Sequence, residues 1–340
     1  MNILVTGGAG YIGSHVVKQL LEDTDYSVTI VDNLSTGSRK TLDTLRAIRD
    51  FKFVELDLKE FDKILPILEE NSIDTIIHFA ASIVVPESVE NPLDYYMNNT
   101  VNTTNLIDKA VKVGVERFIF SSTAAVYGEP SSTPISGLDE NFPTAPINPY
   151  GMSKLMSENV LKDASFAYPK FKHVAFRYFN VAGADVYYNS DNKLEPRIGQ
   201  SFPNATHLIK IASECALGKR EKMAIFGDDF ATEDGTGVRD YIHIDDLASA
   251  HIQAIEYLKV NDSDTFNVGY GKGYSVKEVV EEVKRVTNRD FQVDNAPRRA
   301  GDPALLISNN SKIKQKMNWT PKYNNLGLIC QSAYEWEKIV

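Results

Sequence analysis

The chain has little cysteine: Cys215 and Cys330 are the only two among 340 residues. Two thiols so far apart cannot make the disulfide framework of a small secreted scaffold, and their scarcity fits a reducing compartment. The six histidines lack metal-ligand spacing, so no metal is expected. Long apolar runs are missing as well. The most apolar internal stretch, Thr75 to Val85, contains His78 and stops at Pro86, too short to cross a bilayer. The opening MNILVTGG carries neither a basic leader nor a cleavable apolar segment. Positive charge is not in surplus either. A net charge of -10 repels phosphate backbones and argues against sequence-independent nucleic-acid binding. These absences predict a soluble cytoplasmic protein with no nucleic-acid or membrane partner.

What is present is an ordinary globular composition, 43% hydrophobic and 24% charged. At this length two linked lobes are expected rather than one core. In the first half, short β-branched runs fall at Ile3–Val5, Val28–Val31, Phe51–Leu56, Thr75–Ala80, Arg117–Phe120 and His173–Phe179. Helical periods alternate with them at Ile12–Leu21, Phe61–Glu70, Pro92–Val113 and Tyr150–Ala164. This rhythm predicts an α/β fold, a Rossmann-type doubly wound parallel sheet whose strands are buried on both faces.

After about Asn180 the rhythm changes. Asp185–Asn204 is polar and rich in Asn, Pro and Gly, and reads as an excursion from the sheet. A helix from Ala205 to Leu217, a strand at Met223–Phe226 and a helix at Asp245–Leu258 capped by Asp245 are expected next. Ser275 opens a further helix, with Glu278 in the capping-box position. The expected organisation is a nucleotide-binding domain over residues 1–180 and a smaller α/β substrate lobe over 181–340. Segments near 238–270 are expected to return to the first domain.

Thr6 to Gly13 read T-G-G-A-G-Y-I-G, placing Gly7, Gly10 and Gly13 at three-residue spacing between the first strand and a helix. Glycine is needed where the backbone turns sharply and where it must approach a pyrophosphate closely. The helix N-terminus then offers free N–H groups to that pyrophosphate. Asp32 follows 19 residues after Gly13, at the end of the second strand, where an acid holds adenosine ribose hydroxyls. Asn33 and Leu34 follow it instead of an arginine, which favours NAD over NADP. Asp57, after the third strand, and Phe79, Ala80 and Ala81, after the fourth, stand at strand C-termini, where ligands bind in open α/β sheets.

Pro149-Tyr150-Gly151-Met152-Ser153-Lys154 contains Tyr-x-x-x-Lys at a helix start. Positions i and i+4 share a helix face, so phenol and ammonium can meet. A free tyrosine, with a pKa near ~10, is a poor base at neutral pH. A lysine ammonium and a positive nicotinamide ring would both favour the phenolate. The fifth strand runs into Ser121-Ser122-Thr123-Ala124-Ala125-Val126-Tyr127-Gly128, and Thr123 can direct a substrate hydroxyl toward Tyr150. Hydroxyl, phenol and amine behind a dinucleotide turn specify hydride chemistry at a carbinol carbon.

These motifs, with D-N-L-S-T-G (Asp32–Gly37) and H-F-A-A (His78–Ala81), resemble the extended short-chain dehydrogenase/reductase superfamily. R-Y-F-N-V-A-G-A (Arg177–Ala184), A-I-F-G-D-D (Ala224–Asp229), D-G-T-G-V-R-D-Y-I-H (Asp234–His243) and P-R-R-A-G-D (Pro297–Asp302) are similar, more narrowly, to its UDP-glucose 4-epimerase family. The resemblance runs over nearly the whole chain. It implies tightly held NAD, oxidation of the sugar at carbon 4 with Tyr150 as base, rotation of the 4-keto sugar, and reduction on its other face.

It further implies that Tyr11, Ile12, Asn33, Ser35, Thr36, Gly37, Leu58, Asn98 and Phe179 join the cofactor site. Asn180, His207, Leu208, Ala224, Ile225, Phe226, Arg239, Tyr241, Arg299 and Asp302 would hold the UDP-sugar. Arg239 and Arg299 suit the diphosphate, since guanidinium binds oxyanions bidentately. Phe226 as a core residue and Asp302 as a partner of Arg299 are the competing readings. Leu306 would border the pocket at sugar carbon 2, where a tyrosine restricts the family to glucose and galactose. A core-facing Leu306, with Leu305 or Ile307 turned to the sugar, is its alternative. The resemblance also implies a homodimer through the helices at Pro92–Val113 and Tyr150–Ala164.

Two positions depart from the family pattern: Thr123 replaces a common serine, and Ile83 stands where some members carry lysine. His15 is read as a packing residue. The rival readings are a nucleotide-sugar 4,6-dehydratase, a ketoreductase or hydroxysteroid-type dehydrogenase, and a redox-sensing module that binds NAD without catalysis. The first needs an added acid, yet Ala124 and Ala125 follow Thr123.

Overall fold

The computed structural model describes residues 1–130, 133–134, 136–202, 206–299 and 302–340. Ala205 of the expected helix, residues 203–204 of the polar excursion, and Ala300 and Gly301 of the P-R-R-A-G-D run lie outside the described residues. The chain starts with β1 (Asn2–Thr6), α1 (Tyr11–Asp23), β2 (Ser27–Asp32), α2 (Arg39–Arg46), β3 (Lys52–Glu55), α3 (Phe61–Glu70) and β4 (Thr75–His78). Helix α2 has no counterpart in the apolar pattern because it is almost wholly polar. Ser38 caps it by accepting the Thr41 N–H, and only Thr41, Leu42 and Leu45 turn inward.

Next come α4 (Val85–Glu90), α5 (Pro92–Tyr95), α6 (Asn102–Val113), β5 (Arg117–Thr123), α7 (Pro149–Ala167) and β6 (Lys172–Tyr178). The expected single helix from Pro92 to Val113 is interrupted by a π turn over Tyr96–Val101. Asn99, inside that turn, is buried, and its amide donates to the Ser82 carbonyl at 2.9 Å and Ser153 Oγ at 3.1 Å. Such turns recur at functional sites, and side-chain periodicity does not reveal them. Helix α7 opens with Pro149 behind Asn148, whose side chain accepts the Gly151 N–H.

The second half contributes β7 (Asn180–Ala182), α8 (Leu208–Ala216), β8 (Lys222–Phe226), β9 (Val238–His243), α9 (Ile244–Val260), β10 (Asp264–Val268) and β11 (Gly273–Ser275). It ends with α10 (Val276–Thr287), β12 (Gln292–Ala296), β13 (Leu305–Leu306), α11 (Ser311–Met317) and α12 (Leu326–Glu337). Ser275 and Glu278 form the expected capping box of α10. The cap of α9 is His243, whose ring accepts the Asp245 N–H, and not Asp245 as expected. The Asp245 carboxylate is engaged elsewhere, by His15 at 2.8 Å, Lys18 at 2.7 Å and the Val186 N–H at 3.0 Å. His15 is therefore a buried hydrogen-bonding residue and more than packing.

Seven strands form one parallel sheet in the order β10-β6-β5-β4-β1-β2-β3. One face is covered by α1 and α9 through Val16, Val17, Leu20, Ala250 and Ala254. The other packs on α3 and α6 through Ile64, Leu68, Leu106 and Ile107. In the remaining lobe β9 pairs with β7, β11 and β13, while β8 pairs with β12. Among the described residues no helix is long and apolar enough to cross a membrane.

Candidate active site

The turn after β1 is closed by backbone contact. Gly7 has φ +71°, and a Cβ there would lie 2.7 Å from the Ala80 nitrogen. A Cβ on Gly13 would lie 2.2 Å from the Gly7 carbonyl oxygen. Side chains are thus excluded from the turn. Helix α1 begins behind Gly10 with no side-chain cap and no acid in its first turn. Its unpaired N–H groups and positive dipole end are free for an anion, as a dinucleotide pyrophosphate requires. The Tyr11 hydroxyl turns toward the other lobe and donates to the Gly183 carbonyl at 2.7 Å, while Ile12 packs against the core.

Asp32 is buried, and both its oxygens accept main-chain donors: Ala9 N–H at 2.9 Å and Leu34 N–H at 2.8 Å. Burial raises its pKa above the usual carboxylate value, against the pull of those two hydrogen bonds. Leu34 reaches Asp32 from a left-handed conformation, φ +58°, uncommon for a branched side chain. Each Asp32 oxygen keeps a lone pair for a ribose hydroxyl. Asn33 donates to Asp57 at 3.0 Å and joins the loops after β2 and β3. Ser35 and Thr36 are exposed beside them, and Gly37 sits against Ala9, where a Cβ would come within 2.7 Å of that methyl. The Leu58 side chain belongs to the core, so only its main chain remains for a ligand. Asn98 donates to Ser82 Oγ at 2.9 Å. Phe79, Ala80 and Ala81 are partly buried at the end of β4, and Phe179 is buried past β6.

The reactive groups meet where β5 ends against α7. Thr123 is buried and opens a turn by accepting the Ala125 N–H at 3.1 Å, and its hydroxyl lies beside the Tyr150 phenol. Lys154 is 2% exposed; its ammonium donates to the Ser121 carbonyl at 2.8 Å and lies 4.9 Å from the Phe120 ring centre. Burial pushes its pKa down to about 7. Burial raises the Tyr150 phenol, and the Thr123 hydroxyl beside it opposes this only in part. The expected lowering of the phenol by Lys154 is therefore absent from the protein's own groups. Lys154 is aimed at Ser121, and desolvation outweighs it. Ile83, where some relatives carry lysine, is 50% exposed.

A second cluster forms in the other lobe. Asn180 on β7 stands opposite Tyr241 on β9, and Arg239, two residues earlier, stands opposite Leu306 on β13. Arg239 is ion-paired with Asp302. Arg299 is not the partner of Asp302; its guanidinium lies 3.9 Å from the Phe226 ring centre. Phe226 is 37% exposed and so is not a core residue, while Ala224 is half-buried and Ile225 buried on the same strand. His207 is exposed at the start of α8, with half-buried Leu208 after it. Leu306 packs with Ala124, Phe179 and Tyr127, next to Thr123. Ile307 instead turns toward Gly273, where a Cβ would meet its Cδ1 at 2.6 Å.

A parallel sheet with a glycine turn, a terminal acid on β2 and a Thr/Tyr/Lys group on β5 and α7 defines the extended short-chain dehydrogenase/reductase class. The family described as GDP-mannose 4,6 dehydratase matches residues 4–331. The chain is 45% identical over 337 residues to the UDP-glucose 4-epimerase of Azospirillum brasilense, covering 99% of this chain and 92% of that one. The structure of the UDP-Glc/GlcNAc 4-epimerase of Campylobacter jejuni is 57% identical, with TM-score 0.85 and 99% of both chains covered. UDP-glucose 4-epimerase from Bifidobacterium longum, solved with NAD+ and UDP, is 34% identical, with TM-score 0.91 over 99% of this chain and 98% of that one. The chain belongs to the UDP-glucose 4-epimerase family of that class, a family of isomerases.

Proposed function

We propose that the chain interconverts UDP-glucose and UDP-galactose at sugar carbon 4 while keeping NAD bound. The observation that carries this reading is the grouping of Thr123 and Tyr150 beside buried Lys154, whose ammonium holds the Ser121 carbonyl, at the same sheet edge as the uncapped glycine turn. In this reading residues 1–180 hold NAD through Gly7, Gly10, Gly13 and Asp32, and 181–340 hold the UDP-sugar, with about 238–270 returning to the first domain. NAD held there would supply a reversible two-electron acceptor for the hydrogen at carbon 4 and a positive charge that favours the phenolate. Tyr150 takes the proton from the 4-hydroxyl and returns it after the 4-keto sugar has turned. Thr123 fixes the direction of that hydroxyl, and Lys154 holds the strand end beneath it. Arg239 and Arg299 grip the diphosphate, with Asp302 yielding Arg239 to it.

The dehydratase reading is weaker here. Eliminating water across carbons 5 and 6 needs an acid beside Thr123, and Ala124 and Ala125 stand there. UDP-GlcNAc and UDP-GalNAc belong to the proposed substrate range. Leu306 is buried with Ala124 and Phe179 next to Thr123; in this reading it borders the sugar, is shorter than tyrosine and brings no hydroxyl to desolvate. The named substrates of the Campylobacter jejuni relative point the same way.

A cytoplasmic homodimer completes the proposal. Val89, Leu93, Met97 and Val101 recur every fourth residue across α4, α5 and the π turn, and all are exposed, Leu93 by 75%. Light scattering at micromolar concentration checks the dimer, and a monomeric mass removes it. The functional test is conversion of UDP-galactose to UDP-glucose by the purified chain without added NAD. Turnover is expected, together with the absorbance of retained cofactor. Cofactor retention without turnover of any UDP-sugar would leave a sensing module instead.

A further inference from the structure

Three consecutive residues at the end of β5 are held by three successive turns of α7. Tyr150, Lys154 and Glu158 stand at i, i+4 and i+8, on one helix face. Tyr150 faces Thr123, Lys154 holds the Ser121 carbonyl, and Glu158 accepts the Ser122 hydroxyl. Glu158 is 7% exposed, and Arg177 on β6 neutralises it through two bonds, Nε to Oε1 at 3.1 Å and Nη2 to Oε2 at 2.8 Å.

Arg177 also reaches downstream of Thr123. Its Nη1 donates to the Tyr127 hydroxyl at 3.1 Å and to the Glu140 carbonyl at 3.3 Å, and its guanidinium lies 5.0 Å from the Tyr127 ring centre. Tyr127 closes the turn that Thr123 opens, and its hydroxyl donates onward to Asn267 at 2.7 Å. Thr123 is thus fixed on both sides: upstream by Ser122 on Glu158, downstream by Tyr127 on Arg177. A buried ion pair is by itself weak evidence for stability, because apolar residues of similar volume often serve as well. What such residues cannot supply is an acceptor for the Ser122 hydroxyl and a donor for the Tyr127 hydroxyl.

We infer that Glu158, with Ser122 and Arg177, is a positioning group that sets the register of Thr123 against Tyr150. The inference rests on the proposed epimerase reading. None of the three needs to touch substrate or cofactor. Their loss lets the Thr123 hydroxyl drift, and a misplacement of about 1 Å at reacting groups costs on the order of 10²-fold in rate. Drift of the Thr123 hydroxyl also weakens the one neighbour that lowers the phenol, so Tyr150 titrates at higher pH.

The experiment compares wild type with Ser122→Ala, Glu158→Gln and the pair Glu158→Gln with Arg177→Met. Ser122→Ala removes a single hydroxyl and strands no charge, so it keeps the test valid if Glu158→Gln fails to fold. The expected result for Ser122→Ala is kcat lowered about tenfold or more, KM within about twofold, and the acid limb of the kcat/KM profile moved to higher pH. The pair is expected to regain thermal stability relative to Glu158→Gln but not kcat. Wild-type kcat and pH profile in Ser122→Ala, or full kcat in the folded pair, would reduce Glu158 and Arg177 to a stabilising ion pair. Wild-type turnover is measured alongside. Its absence defeats the functional reading and this inference with it, whereas wild-type turnover with unaltered variants defeats only the inference.

Discussion

The sheet edge at β5 and α7 and the patch of Arg239, Arg299, Asp302 and Phe226 in the small lobe hold their polar side chains in opposite ways. At the edge Lys154 is 2% and Thr123 9% exposed, with Tyr150 half-buried beside them, and the Lys154 and Thr123 partners lie on or next to regular elements. In the small lobe Asp302 and Phe226 are more than a third exposed, and the two arginines rest on residues of their own lobe, Arg239 on Asp302 and Arg299 on Phe226. The first region is preorganised, with dipoles fixed before any ligand arrives. In the proposed function the second exchanges partners to take a diphosphate. Damage at the edge should therefore appear in kcat, and damage in the lobe in KM.

Tyr150→Phe attacks the edge most directly. It should fold and bind both ligands yet lose about 10² or more in kcat, since the general base is gone. Near wild-type turnover would remove Tyr150 from the chemistry. Lys154→Ala comes next, with kcat down about 10- to 100-fold through loss of its hold on the Ser121 carbonyl, and with the pH optimum unmoved. No shift is expected because Thr123, and not Lys154, is the group that lowers the Tyr150 phenol. Wild-type kcat would take the positioning role from Lys154, and an optimum moved to higher pH would give it an electrostatic one instead.

Arg299→Ala probes the other region. Losing charge-assisted bonds of about 1.5–3 kcal/mol should raise KM roughly 10- to 100-fold with little change in kcat. A fall confined to kcat would erase the contrast between the regions. The smallest effect is expected at Leu306→Tyr, where one wall of the sugar pocket changes and discrimination of about 1–3 kcal/mol is at stake. Assays with paired substrates should show UDP-GlcNAc turnover falling selectively. Equal losses on UDP-galactose would place Leu306 in the packing of Thr123 instead.

The same division explains what the sequence made legible. The glycine turn, Asp32, Thr123, Tyr150 and Lys154 were readable because each sits at a fixed offset from a strand end or helix start, and local rules set those offsets. The pairing of Asp302 with Arg239 was not legible, because Arg239 lies 63 positions away and the β9–β13 register brings them together, while Arg299 is the nearer arginine in sequence. The α9 cap was misplaced because Asp245 is a good cap by type, and only tertiary contacts show it engaged with His15 and Lys18. The π turn at Tyr96–Val101 was not legible because neither glycine nor proline marks it and side-chain spacing does not report which carbonyl each N–H reaches. Glu158 was invisible as a candidate because it is just another acid until Ser122 and Arg177 are seen around it.

The central claim is transient oxidation at carbon 4 with return of the same hydrogen. Converting UDP-galactose in heavy water and reading the product by proton NMR tests it most directly. The account predicts UDP-glucose that keeps its original hydrogen at carbon 4. Deuterium at that carbon would contradict it, showing that inversion proceeds by proton exchange with solvent.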